Sequence, residues 1–242
     1  MRFDVLTLFP QIPQVFFDSS IMAKAVQKGI ISYTLVNIRD FAHDKHKTCD
    51  DIPYGGGAGM LMLAEPLALA LDSVQAKEKR VLYLSPSGKK FSQKTAEQLS
   101  KEESLVLICG RYEGIDQRII DEYVDDEVCI GDYVMSSGEL AALVVIDTIY
   151  RLIDGVISGE SLEEESFTDG LLEYPQYTRP RVFRNREVPA VLLSGHHANI
   201  RRWRLEKRIE KTLKNRPDLL QVLQESGTMS QEAQIILKEL IK

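Results

Sequence analysis

The stretch that decides the fold is Leu105-Val106-Leu107-Ile108-Cys109-Gly110-Arg111-Tyr112-Glu113-Gly114-Ile115-Asp116, echoed downstream by Val128-Cys129-Ile130-Gly131-Asp132-Tyr133-Val134-Met135-Ser136-Ser137-Gly138-Glu139. Each begins as a short apolar run, as a strand buried in a sheet does. Each ends in glycines interleaved with charged and aromatic residues. Turns of this kind suit close backbone approach at the ends of adjacent parallel strands. They hold few of the Asn, Asp and Ser residues that surface turns favour. That composition favours a ligand pocket over two plain connections.

Working outward, residues 3–9 predict a first strand closed by Pro10, residues 18–29 a helix with a glycine stop, and residues 31–38 a second strand. Residues 39–59 change character. They pack charge and imidazole together and end in Asp50-Asp51-Ile52-Pro53-Tyr54-Gly55-Gly56-Gly57-Ala58-Gly59, where four glycines in five positions exclude a stable helix or a good strand. His43, His46, Asp50 and Asp51 follow no zinc spacing and read as a polar loop. Then come a helix over 65–74 and a strand over 80–84 turned by Ser85-Pro86-Ser87-Gly88. A helix capped by Ser92 runs to Leu99, a strand covers 105–109, and a short helix covers 116–123. A strand over 128–130 and a long apolar helix over 137–152 complete this half, with Glu139 at that helix's start, where the dipole favours a carboxylate. Strands alternating with helices predict an α/β domain with a mainly parallel sheet. Residues 153–169 break the rhythm with Glu160, Glu163, Glu164 and Glu165, and read as a mobile linker able to order over a ligand. Beyond it the sequence predicts helices only, starting at His196 or His197, at Pro217 and at Gln231.

The chain of 242 residues carries a net charge of −6, unevenly spread: residues 179–216 hold twelve Arg and Lys against three Glu, a local +9 that leaves −15 elsewhere. Such asymmetry can steer a polyanion to one face; on charge alone a solvated basic helix stays open as the other reading. The three cysteines, Cys49, Cys109 and Cys129, form no CxxC pair and predict a reducing compartment without structural zinc or disulfides. Asp4 in a short N-terminal segment argues against a signal peptide, and no apolar run reaches the roughly 18 residues of a membrane span. A cytoplasmic protein is expected. No GxGxxG, GxxxxGK[ST] or GxSxG motif is present, which disfavours dinucleotide, phosphate-loop and hydrolase chemistry. Three strand-end turns, at 83–86, 110–114 and 130–136, can offer backbone groups to an adenine and a ribose. Glu113 or Asp132 can accept from hydroxyls or an amine.

Together these motifs resemble the TrmD family of bacterial tRNA (guanine-N1)-methyltransferases, of the SPOUT class. The resemblance rests on Asp50-Asp51-x-Pro53-Tyr54-Gly55-Gly56-Gly57-x-Gly59-Met60, Leu84-Ser85-Pro86, the 109–116 and 130–134 turns, and Ser166-Phe167. Gly170-Leu171-Leu172, Tyr177-Thr178-Arg179-Pro180, Leu193-Ser194-Gly195-His196 and Ile200-Arg201-Arg202-Trp203-Arg204 extend it over nearly the whole chain. It implies a SPOUT-type sheet with a C-terminal trefoil knot in residues 1–157, a flexible acidic lid over 158–170, and a small all-helical, basic, tRNA-binding domain over 171–242. It implies S-adenosyl-L-methionine held by Tyr83, Leu84, Ser85, Pro86, Gly110, Tyr112, Glu113, Gly114, Ile130, Gly131, Asp132, Tyr133, Val134, Met135, Ser137 and Gly138. It implies a homodimer with active sites at the subunit interface, and magnesium dependence. The implied reaction is methyl transfer to N1 of guanosine 37 in tRNA, with Glu165 as the base and Arg151 stabilising charge on O6. Glu164 and Asp169 are the neighbouring carboxylates. The family usually has Asp in place of Glu165, Gly in place of Ser137 and Pro in place of Asp154. A SPOUT methyltransferase acting on ribosomal RNA or a ribose 2′-OH, and a non-catalytic RNA-binding protein on the same fold, are the alternatives.

Overall fold

Apolar runs too short for helices are stable only when their backbone pairs and both faces are covered. A computed structural model, describing residues 1–159 and 165–241, shows how this chain achieves both. Strands β1 (Arg2–Thr7), β2 (Ser32–Asn37), β5 (Arg80–Lys90), β6 (Ser104–Cys109) and β7 (Asp126–Cys129) form one sheet in the order β2-β1-β6-β5-β7. Every neighbouring pair is parallel. Strand β6 lies at the centre, and Leu105 to Cys109 are fully buried.

Helices cover both faces. On one lie α1 (Gln11–Phe17), α2 (Ser20–Gln27), α4 (Gln93–Leu99) and α6 (Gly138–Tyr150), around Phe3, Leu107, Val145 and Ile149. On the other lie α3 (Ala64–Ser73) and α5 (Gln117–Tyr123), around Leu6, Leu67, Val106 and Ile119. As expected, the Ser92 hydroxyl caps α4 by accepting from the Thr95 N–H at 3.2 Å. The predicted helix over 18–29 is α2, and a separate helix, α1, precedes it. Helix α1 ends at Phe17, Ser19 is extended, and α2 starts at Ser20. Helix α1 itself escapes sequence reading because Pro10 and Pro13 look like breakers, yet proline is tolerated before and within a first turn.

The predicted turn at 85–88 is also corrected. Strand β5 runs on to Lys90, with a register shift against β7 between Leu84 and Lys89. A side chain at Gly88 would lie 2.4 Å from the Glu127 backbone, so glycine lets the strand slip closer there. The long loop over 39–59 is anchored, too. A 3-10 turn at Ile38–Phe41 opens it, and a two-residue ladder of β3 (Asp50–Asp51) with β4 (Leu61–Met62) closes it.

The chain divides into two compact units, Met1–Ser158 and Gly159–Lys242. The second contains α7 (His197–Asn215), α8 (Pro217–Ser226) and α9 (Gln231–Ile241), packed around Ile209, Leu220, Ile236 and Leu237. It is not all helical, because β8 (Val182–Phe183) and β9 (Arg186–Glu187) pair as an antiparallel hairpin. Among the described residues, no helix is long and apolar enough to cross a membrane.

Candidate active site

Parallel strands bring their C-terminal ends, with their turns, to one edge of the sheet, where open α/β folds bind ligands. At that edge the turns after β6 and β7 and the middle of β5 enclose a cavity of about 350 Å³. Its wall contains Tyr83, Leu84, Ser85 and Pro86 from β5, Gly110, Tyr112, Glu113 and Gly114 after β6, and Ile130, Gly131, Tyr133, Val134, Met135, Ser137 and Gly138 after β7. All were expected at a cofactor site. Asp132 is not among them: its carboxylate accepts from Lys90 Nζ at 2.9 Å in an exposed ion pair. Ser87, Arg111, Val128, Cys129, Ser136 and Ala141 also line the cavity and were not singled out. The signal for Arg111 was its place inside the glycine turn.

The glycines serve the chain itself at three of these positions. A side chain on Gly110 would meet the Tyr83 ring at 2.9 Å, and one on Gly131 the Tyr133 ring at 2.3 Å. One on Gly138 would meet the Gly110 backbone nitrogen at 2.8 Å, where the Gly138 N–H donates to the Gly110 carbonyl at 2.8 Å. The start of α6 is thereby pinned to the end of β6. Gly138→Ala is expected to destabilise the first unit by about 1–3 kcal/mol through overpacking against backbone, read as a lower urea midpoint at unchanged slope.

The turn after β6 is held from both sides. Glu113 N–H donates to the Met60 carbonyl and Met62 N–H to the Gly114 carbonyl, each at 3.0 Å, so the 50–62 segment is fastened to the cavity wall. Tyr112 between them adopts φ +57, a left-handed conformation costing on the order of 1–2 kcal/mol for a residue with a Cβ. Burial, followed by its hydrogen bond to Asp50, pushes the Tyr112 hydroxyl above its usual pKa. Burial and the nearby Glu127 charge do the same to Tyr83, against an opposing hydrogen bond from the Ile115 N–H. Both phenols are therefore neutral donors in the physiological range. Burial raises the Cys109 thiol well above its usual pKa, which removes it as a nucleophile.

Among the described residues, Arg111 and Glu113 are the charged ones at the wall, of opposite sign. Beneath Arg111 sits Glu139, fully buried in the first turn of α6. Thr7 Oγ1 donates to its Oε1 at 2.7 Å, while its Oε2 lies 3.8 Å from Arg111 Nε. The guanidinium also stacks 4.4 Å from the Phe9 ring centroid. Glu139 is thus more than a helix-dipole carboxylate: it neutralises a cation at the cavity wall.

Of the two residues expected to do the chemistry, Arg151 shares the first unit with the cavity but does not line it. Arg151 follows the last residue of α6, whose first residue lines the cavity. A helix of 13 residues spans about 20 Å. The chain just beyond it reaches the opposite edge of the sheet, where Gly155 abuts Ile30 and the Met1 amine donates to the Ile30 carbonyl. Glu165 belongs to the second unit, one residue before a tight turn in which Phe167 N–H donates to the Leu171 carbonyl at 2.9 Å. The Asp169 carboxylate is committed to Arg208, which grips both of its oxygens. Glu164 lies outside the described residues. Residues 165–170, read as part of the linker, are thus built into the second unit.

Residues 1–222 match the family described as tRNA (Guanine-1)-methyltransferase TrmD. A tRNA (guanine-N(1)-)-methyltransferase of Treponema denticola is 73% identical over 239 residues, covering 99% of this chain and 98% of its own length. The protein of that name from Treponema pallidum is 68% identical over 240 residues (99% and 96%), and that from Borreliella burgdorferi 64% over 221 residues (90% and 92%).

Proposed function

This chain belongs to the TrmD family of tRNA (guanine-N1)-methyltransferases, and from that premise we propose that it transfers the methyl group of S-adenosyl-L-methionine to N1 of guanosine 37 in tRNA. The carrying observation is the cavity formed by the middle of β5 and the turns after β6 and β7. At about 350 Å³ it falls in the size range of small-molecule sites. Leu84, Ile130, Val134 and Met135 offer an apolar wall to an adenine. Glu113 and Arg111 offer opposite charges to an amino-acid amine and carboxylate. The donor set fits. When bound, the cofactor supplies an electrophilic methyl group and needs no covalent enzyme intermediate.

The protein's share of the chemistry is to make N1 a nucleophile. A protonated guanine N1 is a poor one, and removing its proton shifts charge to O6. Glu165 is the proposed base, and the Arg151 guanidinium the proposed partner of that charge. Since Arg151 sits about 20 Å along α6 from its own cavity, it serves the cavity of a second copy. That supports the homodimer with shared active sites. So do Val15 on α1 and Leu140 and Val144 on α6, which remain exposed although the other side of α6 is fully buried. The proposed trefoil knot draws support from β7, which follows β6 in sequence but pairs beyond β5, and from the return of α6 to the end of β6.

The proposed division of labour assigns residues 1–157 to cofactor binding, 158–170 to a lid and 171–242 to tRNA. Magnesium is proposed to act with the RNA, and the cytoplasm is the proposed place of work. Arg201 and Arg202 are exposed at the start of α7, whereas Arg204 stacks 4.7 Å from the Tyr174 ring centroid. Replacing all three by Gln is expected to weaken tRNA binding and to flatten its salt dependence. The slope of log K against log salt should shrink by about 0.7–0.9 per lost phosphate contact, mostly through Arg201 and Arg202. An unchanged slope places the RNA elsewhere.

The deciding assay uses methyl-labelled S-adenosylmethionine and two tRNA transcripts differing only in guanosine or adenosine at position 37. Label at N1 of guanosine 37, absent from the adenosine transcript, establishes reaction and substrate together. Label in neither, with the cofactor bound, removes the tRNA assignment.

A further inference from the structure

The reading above gives residues 171–242 to tRNA but names no contact for the β8–β9 hairpin of the second unit. Its register pairs Phe183 with Arg186, leaving Arg184 and Asn185 as a two-residue connection. Both have positive φ, +50 and +61, as a type I′ hairpin turn requires. Asn tolerates that conformation, but Arg does so only at a cost. A Val188 N–H to Arg181 carbonyl bond at 3.0 Å extends the ladder by one step. The hairpin is therefore preformed, with an arginine held at its tip.

What it presents is unusual for a packing element. Every residue from Arg179 to Glu187 is exposed, and Phe183 is 60% exposed. None of them joins the core of the second unit. The Arg184 guanidinium lies 5.3 Å from the Phe183 ring centroid. Arg179, Arg181, Arg184 and Arg186 stand against one carboxylate, Glu187. An exposed aromatic face set among guanidinium groups on a rigid ribbon is what unpaired nucleotides recognise. The ring stacks on a base and the arginines meet the flanking phosphates.

We propose that this hairpin is an RNA-reading element: Phe183 stacks on an unpaired base of the tRNA while Arg181, Arg184 and Arg186 neutralise adjacent phosphates. This rests on the tRNA reading above and adds a contact that positions the RNA apart from the reacting groups.

The test compares Phe183→Ala, Phe183→Leu and Phe183→Trp in the full-length protein, measuring tRNA affinity by fluorescence anisotropy, S-adenosylmethionine affinity and sedimentation. Loss of one stacked base should weaken tRNA binding by about 5- to 150-fold in Phe183→Ala. Phe183→Leu should stay weak, Phe183→Trp should recover, and cofactor affinity and sedimentation should not change. Recovery by Trp but not Leu separates stacking from mere apolar packing. Wild-type tRNA affinity in Phe183→Ala overturns the proposal while leaving the tRNA reading intact. So does a shift in sedimentation toward monomer, which assigns the hairpin to a contact between copies. A wild-type protein that binds no tRNA removes the parent reading, and the hairpin's partner with it.

Discussion

Replacing Glu165 by Ala is expected to slow methyl transfer by about two to four orders of magnitude, the range for loss of a general base, with cofactor affinity unchanged. Among the described residues, all those lining the cavity belong to the first unit and Glu165 to the second, so binding and chemistry should separate cleanly. Glu165→Gln, which keeps the shape and removes the base, should be equally slow. The backbone around Glu165 gives the carboxylate a defined starting point. Ser166 Oγ accepts from the Glu173 N–H at 3.0 Å, and Phe167 closes its turn against Leu171. Asp169 should behave differently. Its carboxylate is bound by Arg208, a residue only 8% exposed, so Asp169→Asn should lower the stability of the second unit by leaving a buried charge poorly paired. Near-normal single-turnover rates in Glu165→Ala would move the base to another group.

The second large effect concerns Arg151. Arg151→Ala should cost about 10²–10³ in rate, as for removal of a group that stabilises developing oxyanion charge. Its geometry makes a sharper claim. Because Arg151 and the cavity of one protomer lie at opposite ends of α6, the defect should be complemented between copies. A partner with a filled cavity, Ser137→Trp, would be inactive by itself yet carry an intact Arg151. Mixing the two variants at equal amounts should restore about a quarter of wild-type activity, since half of randomly paired dimers are mixed and each has one complete site. No gain over the separate variants would show that Arg151 serves its own cavity or none.

Much of this was legible in the residues. Leu105 to Cys109 and Val128 to Cys129 are apolar on both faces, which selects a central position in a parallel sheet. Their glycine-rich ends then had to share one edge, so the cavity was locatable before its shape was known. The helix of residues 138–150 was legible for the same reason, being apolar nearly all round. Local pattern also named the glycines, though not their use. Only the folded chain shows the Tyr83 ring filling the space at Gly110, and the Cys109–Gly110 backbone that at Gly138.

What the sequence by itself determined was strand position and direction in the central sheet and the type of most helices, because hydrophobic period and turn chemistry act over a few residues. Tertiary structure decided which way each turn residue faces and which distant residue meets it. Asp132 was expected at the cavity and instead pairs with Lys90, whose position follows from β5 running past its expected end. Glu139 meets Thr7 across 132 residues of chain. The hairpin at Arg184-Asn185 lacks the glycine that would announce its turn. Arg151 and the cavity are separated by the length of one helix, a distance no motif records. Each of these depends on contacts between segments far apart in the chain, and such contacts exist only once the sheet, with its register and helix directions, has formed.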